Sequence, residues 1–330
     1  MSEKVAVIVR KEVLENLKSL RYWGLIVLFV LLFVAISAAI GSAIQGLEAP
    51  APGRGRPATR DVAELRLIVL FVGSLSSTMS FVAPLLGIAL GFSAIAAERE
   101  KGTIRLVLAR PVYRDQVLNG KILAATILIA IAVFVSTALS LPISATLYGV
   151  TVTADDLSRL MLSLIPSILL ALAYYALSLF ISVLSDRSSR ALLYCILAWI
   201  FLTFVLPIAA SMIALSVLGP PPAIALNRTS ATDVEIGVTV TVADQLPPQL
   251  EDYYRKVGEI TSSVLIISPN DRYFTFVNAL FTRRSPQTTS YVDLGSIIAT
   301  RWVDLAVLAA YVAVFTLLSY IFFVQRQEVR

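Results

Sequence analysis

Residues 96–121 read AAEREKGTIRLVLARPVYRDQVLNGK. Nine charged side chains are packed into this stretch, between two runs that hold none at all, 67–97 before it and 122–154 after it. A helix needs ~20 apolar residues to cross a bilayer. Each flanking run is longer than that and is built of Leu, Ile, Val, Ala and Phe with scattered Gly and Ser. The stretch therefore reads as a charged elbow joining two membrane helices. Four more uncharged runs, 22–47, 160–185, 191–227 and 305–325, complete a set of six. The fifth is too long for one crossing and is expected to end before Gly219-Pro220-Pro221-Pro222. Barrel strands would be ~10 residues long with strict alternation, and these runs are neither.

The composition agrees. The chain is 57% hydrophobic and 15% charged, with a mean hydropathy of +0.81, where soluble domains average ~45–50% and ~25%. That excludes one or two soluble cores, and it excludes disorder. The absence of His removes the usual general base near neutral pH and the commonest metal ligand. One Cys excludes an intrachain disulfide and a Cys-rich metal site. Met79, Met161, Met212 and Cys195 are the soft side chains of the spans, and they read as packing fillers. The first span follows a long charged leader and far exceeds the ~7–15 residues of a signal-peptide core, so it is expected to be retained.

Six spans place both termini on one side. Fifteen Lys and Arg fall in 1–21, 98–121, 186–190 and the tail, against five in the two short opposite loops, 48–66 and 155–159. The positive-inside bias puts the termini and the elbow in the cytoplasm and makes this a multi-pass cell-membrane protein. Residues 1–21 form the first unit. Within them Ala6, Val9, Val13, Leu17 and Leu20 share a stripe, with Lys11, Glu15 and Lys18 opposite. This is an amphipathic helix expected to lie in the cytoplasmic interface. Helices one to five and the elbow occupy 22–217, an extracytoplasmic segment 218–302, and the sixth span with its tail 303–330. In the outer segment, Val234, Ile236, Val238, Val240 and Val242 alternate with less apolar residues, predicting a strand. Residues 249–266 predict a helix, Ser268-Pro269-Asn270 a cap, and Tyr273 to Phe281 a short helix dipping into the outer leaflet. Asn227-Arg228-Thr229 fits a glycosylation triplet. The fold class is an all-α polytopic membrane protein with six transmembrane helices, an N-terminal interfacial helix and a small mixed α/β extracytoplasmic segment.

No window holds an Asp, Glu, Lys or Arg, which speaks against a proton relay, a voltage sensor or a charged filter. Transport must draw on work delivered from outside the spans. The polar groups left are hydroxyls, among which Ser74, Ser77 and Thr78 could line a translocation path or simply bond neighbouring helices. Gly87 and Gly91 form a GxxxG pair, whose natural meaning is close helix contact. Pro84, Pro142, Pro166 and Pro207 are candidate kinks. There is no G-x-x-x-x-G-K-[ST] loop and no nucleophile–base pair. The chain is therefore not expected to be an enzyme or to hold a cofactor of its own.

Within the elbow, the second span is expected to run straight on through Ala96 to Glu100, with Gly102 as helix stop. Thr103 would cap a short helix over 104–109, and Arg110-Pro111 would break it, with Pro111 opening the next. Glu98-Arg99-Glu100-Lys101-Gly102-Thr103, then Leu106 to Val112, then Arg114 and Gly120-Lys121, resembles the signature loop of ABC type-two permeases. It is most similar to the branch that includes permeases of multicopper-enzyme and nitrous-oxide-reductase maturation. Ser268-Pro269 followed by Asp271 and Tyr273 is similar to that branch's segment before the last span. The resemblance implies an exporter built on a homo- or heterodimer of permease chains. Each would dock on a separate cytoplasmic ATPase subunit that carries ATP and Mg²⁺. It further implies that Glu98, Glu100, Gly102, Thr103, Arg105, Arg110, Pro111 and Arg114 form the ATPase-coupling element. Membrane lipid is the other partner, and nucleic acid is not expected. The strand-bearing outer segment departs from the pattern and leaves the substrate open. A self-sufficient carrier of neutral solutes and a non-transporting assembly factor remain the alternatives.

Overall fold

In a computed structural model the described residues are 3–47, 60–102, 114–148, 153–221, 248–282 and 291–325. They are almost wholly helical, with no strand beyond a single bridge at Tyr291. In chain order the helices are α1 (Glu3–Leu17), α2 (Leu20–Leu47), α3 (Arg60–Gly91), α4 (Ala96–Glu100), α5 (Arg114–Tyr148) and α6 (Ala154–Leu184). A fifth crossing follows as α7 (Ser188–Ile200), a π-helical turn (Phe201–Val205) and α8 (Leu206–Leu218). Then come α9 (Pro248–Leu265), α10 (Pro269–Leu280) and α11 (Leu294–Gln325). Six stretches are long and apolar enough to cross a membrane: Leu20–Ala39, Val72–Glu100, Asp115–Ile143, Ala154–Leu184, Ser188–Leu218 and Leu294–Phe323.

The bundle is built around α6, which packs on α3, α11, α5 and α10. Its middle, Leu170 to Ala176, is buried on every side, as expected of a helix apolar all round. The GxxxG pair explains how α3 approaches it. A Cβ at Gly87 would lie 2.3 Å from the Ala171 carbonyl oxygen and 2.7 Å from the Tyr175 amide nitrogen; at Gly91 it would lie 1.8 Å from Ser178 Oγ. The helices meet backbone to backbone, and the Ser178 hydroxyl lies 3.3 Å from the Gly87 carbonyl. α2 covers α3 and α5 with Phe29 and Phe33, and the Tyr22 hydroxyl donates to the Leu128 carbonyl at 2.8 Å. α1 lies along α5 through Val5 and Val9, and Ile8 sits over Gly120. Lys11, Glu15 and Lys18 are exposed as the stripe requires, but Leu20 is also exposed, because it opens α2 instead of continuing α1.

Several expectations are corrected. The second span does not run straight into the elbow. α3 stops at Gly91, a turn spans 92–95, and α4 starts anew. The loop expected at 155–159 is helical, because Thr153 and Asp156 form a reciprocal capping box that starts α6 one turn earlier. α11 likewise begins at Leu294 and so carries Arg301 and Asp304. The spans are therefore not free of charge, as the windows implied. Asp304 is buried on α11, and its Oδ1 accepts from Arg272 of α10 at 3.0 Å. Uncharged runs mark where charges stop, whereas helices stop where caps are.

Between the fifth and sixth crossings the expected helices and cap are present. α9 matches 249–266, and Ser268 caps α10, accepting from the Asp271 amide, with Pro269 in the first turn. Tyr273, Phe276, Val277 and Leu280 turn inward onto α3, α6 and α11. The strand over 234–243 and the Asn227 triplet lie outside the described residues. Pro84, Pro142 and Pro166 sit inside unbroken helices. Pro207 instead follows the π-helical turn, where the missing amide proton is absorbed by local widening. Gly219, at φ +75°, ends the fifth crossing.

The α3–α6 contact yields a first expected outcome. Gly87→Ala pushes a methyl into fixed backbone and should destabilise the folded bundle by roughly 1–3 kcal/mol. Gly73→Ala, where nothing lies within 4 Å, should be neutral or better. Thermal unfolding of the two detergent-solubilised variants is the check, and equal midpoints would refute the contact.

Candidate coupling site

The elbow begins where α3 gives out. A five-residue helix cannot hold its own ends, since its first amides and last carbonyls have no partners within it. For α4 the partners come from elsewhere. Ile95, at its start, makes no side-chain cap. Instead Ser182 Oγ on α6 accepts from the Ile95 and Ala96 amides at 3.1 and 2.9 Å. Arg99 then reaches the end of α6 and donates to the carbonyls of Val183 and Ser185 at 3.0 and 2.6 Å. A cation at a helix C-terminus satisfies open carbonyls and complements the dipole. Glu100 does the converse for α7. Its Oε2 accepts from the Ser188 amide at 3.0 Å and the Ser188 hydroxyl at 2.5 Å, at a helix start where Arg187 supplies no side-chain cap. Gly102, at φ +69°, ends the turn as predicted.

Glu98 faces the other way. Lys121, near the start of α5, is buried and donates to Glu98 Oε1 and to Glu12 Oε1 of α1, both at 2.8 Å. Two partly buried carboxylates share one buried ammonium, and removing one partner of such a group is costly. A cleft of about 470 Å³ opens beside this triad, lined among others by Arg21, Tyr22, Ala97 and Lys101. One short helix thus ties together α1, α5, α6 and α7.

Of the residues expected to form the coupling element, Glu98, Glu100 and Gly102 come together here. Arg114 is the first residue of α5. Thr103, Arg105, Arg110 and Pro111 lie outside the described residues. Arg99, Ser182, Ser188 and Glu12 were missed. The charge pattern offered Arg99 only as a topological marker, and the serines carry no signal of their own. The path candidates stand apart on α3. Ser74 and Thr78 are fully buried, and the Thr78 hydroxyl donates to the Ser74 carbonyl at 2.6 Å, while Ser77 is half-buried.

The opposite end of α6 carries a second set of charges, roughly 35 Å from Ser182 at 1.5 Å per residue. Arg159, buried, donates to Asp155, to the Leu280 carbonyl at 2.6 Å and to the Val292 carbonyl at 3.0 Å, and lies over the Tyr291 ring. Asp156 accepts from the Tyr291 hydroxyl at 2.6 Å. Burial pushes the Asp271 carboxyl above its ordinary value, against the pull of its neighbour Arg272. These pairs fasten α10 and the start of α11 to the bundle.

Comparison with known proteins shows the family. The profile of the ABC-2 family transporter proteins matches residues 6–328. The chain is 30% identical over 214 residues to the probable ABC transporter permease protein NosY of Pseudomonas aeruginosa, covering 64% of this chain and 70% of that one. It is 32% identical over 128 residues to the protein of the same name in Stutzerimonas stutzeri, covering 39% of this chain and 41% of that one. With six apolar crossings and a match from end to end, the chain belongs to the ABC-2 family and is the membrane-spanning permease subunit of an ABC transporter.

Proposed function

We propose that this permease works as half of an ATP-driven exporter and that the work enters through α4 and the stretch after it. On this reading two permease chains associate in the membrane, with both termini and the elbow in the cytoplasm. Each elbow sits in a groove of a separate ATPase subunit that holds ATP and Mg²⁺, and α1 lies in the cytoplasmic interface. In this proposal the residues after Gly102, Arg105, Arg110 and Pro111 among them, contact that groove. The path follows the hydroxyl-bearing face of α3. The Lys and Arg distribution supports the orientation. The observation that carries the proposal is the fastening of α4. Its side chains close the end of α6, open α7 and hold α1 and α5 through one lysine. A push on the elbow has no slack to take up, so it must reach four helices at once. Nucleotide-driven closure of the ATPase would favour one arrangement of the spans by contacting this element differently in each state.

This separates two kinds of variant. Arg110→Glu should reduce the ATPase retained on affinity-purified permease roughly tenfold, the effect of ~1.4 kcal/mol at a docking surface. Unchanged retention would remove the loop from the interface. Glu100→Gln and Glu98→Gln should leave retention intact but lower the substrate transported per ATP hydrolysed in proteoliposomes. Full coupling in both would sink the transmission role.

The shared lysine gives a further expected outcome. Lys121→Met strands two carboxylates and should cost ~3–5 kcal/mol. Glu12→Gln keeps one pair and should cost far less. Adding Glu12→Gln and Glu98→Gln to Lys121→Met should recover much of the loss. Chemical unfolding in detergent measures all three. A Glu12→Gln variant as unstable as Lys121→Met would contradict the shared-cation arrangement.

A further inference from the structure

The fifth crossing departs from regular helix at one place, the π-helical turn Phe201–Val205 ahead of Pro207. Pro207 has no amide proton for the Thr203 carbonyl four residues back, and the turn widens there. Thr203 is also where three other elements converge. Asn270, the second residue of α10 and only 7% exposed, donates through Nδ2 to the Thr203 hydroxyl at 3.1 Å and to the Ser80 carbonyl of α3 at 3.2 Å. Tyr174 of α6 places its buried hydroxyl beside Thr203 without a well-aligned hydrogen bond.

Among the described residues, Asn270 Oδ1 and Trp199 Nε1 have no hydrogen-bond partner, though both atoms are buried. Trp199 lies one turn before Thr203 on the same crossing. The amide oxygen needs a donor and the indole needs an acceptor. Burying such atoms unpaired is costly, and an apolar side chain at either position would avoid the cost. Two residues after Asn270, Arg272 is held through Nη1 by Asp304 and through Nη2 by Asp271, while its Nε and Asp304 Oδ2 are likewise buried without a partner. Beside the polar cluster lies an aromatic wall. Phe204 is 6.0 Å from Phe81 and 5.9 Å from Trp199, centroid to centroid, and Phe201 and Phe204 are about half exposed.

The geometry points to a binding site for a neutral, hydroxyl-bearing amphiphile dissolved in the membrane, with its hydroxyl between Asn270 Oδ1 and Trp199 Nε1 and its chain along Phe81, Phe204 and Phe201. A hydroxyl both donates and accepts, which is what these two atoms require together. Single π-helical turns inside α-helices occur frequently at functional sites. The site does not depend on the ATPase, so it can fail while the coupling proposal stands, and the reverse.

The test uses the full chain in lipid nanodiscs, with Trp23→Phe and Trp302→Phe leaving Trp199 as the single indole. The probes are monooleoylglycerol with a dibrominated chain and the methyl ester of the same dibrominated acid, which lacks hydroxyls. The glycerol ester should quench Trp199 saturably at low mole fraction. The methyl ester should need roughly tenfold more, as should the glycerol ester on Asn270→Leu or Thr203→Val, from the loss of one or two hydrogen bonds. Quenching that rises linearly with mole fraction and is the same for both probes would overturn the site. Should either variant misfold, the two-probe comparison on the parent decides alone. A Trp199 that neither probe quenches would also overturn it, and would mean that a second permease chain covers this face.

Discussion

Two glycines one helical turn apart let α3 and α6 touch through their backbones, and everything at the elbow follows from the register that this contact sets. α3 and α6 run past each other with Gly87 against Ala171 and Tyr175, and Gly91 against Ser178. One turn further, Ser182 meets the amides of Ile95 and Ala96; then Arg99 meets Val183 and Ser185, and Glu100 meets Ser188. These pairings climb both chains in step. A larger side chain at Gly87 would push the helices apart at the base of this ladder and misalign each rung above it.

The ladder also shows why α4 exists. Ser182 offers the acceptor that a continuing α3 would have taken from its own backbone. The chain therefore restarts as a new helix where a neighbouring hydroxyl permits it. Because that hydroxyl belongs to the last turn of α6, the restart lands on the α6–α7 turn. The elbow's position is thus a packing result and owes little to the intrinsic preferences of residues 96–100.

What could be read directly from the chain was whatever is local. Apolar runs announced six crossings. Ser268-Pro269, the Gly219 stop, Gly102 and the GxxxG pair announced themselves through backbone chemistry within a few residues. Nonlocal satisfaction was silent. Arg159 looked like a loop charge because its acceptors, the carbonyls of Leu280 and Val292, lie 121 and 133 residues away. Asp304 fell just outside an uncharged window, although its partner Arg272 allows it to be buried. At the candidate site, Glu98 and Glu100 stood out as exposed charges, whereas the structure bonds them to Lys121 and Ser188. Arg99, between them, passed as a topological marker while its guanidinium closes α6.

The lysine shared by α1 and the elbow has a bearing on how the protein is made. Glu12 and Lys121 are 109 residues apart in the chain. Ribosomes add roughly 5–20 residues per second, so Glu12 is added to the chain roughly 5–20 s before its anchoring cation. Through that interval the N-terminal helix has no fixed berth, and a carboxylate on it waits in solvent or at the lipid headgroups. Its final seating must come after α5 has been made, so α1 locks only once α2, α3 and α4 have already been synthesised.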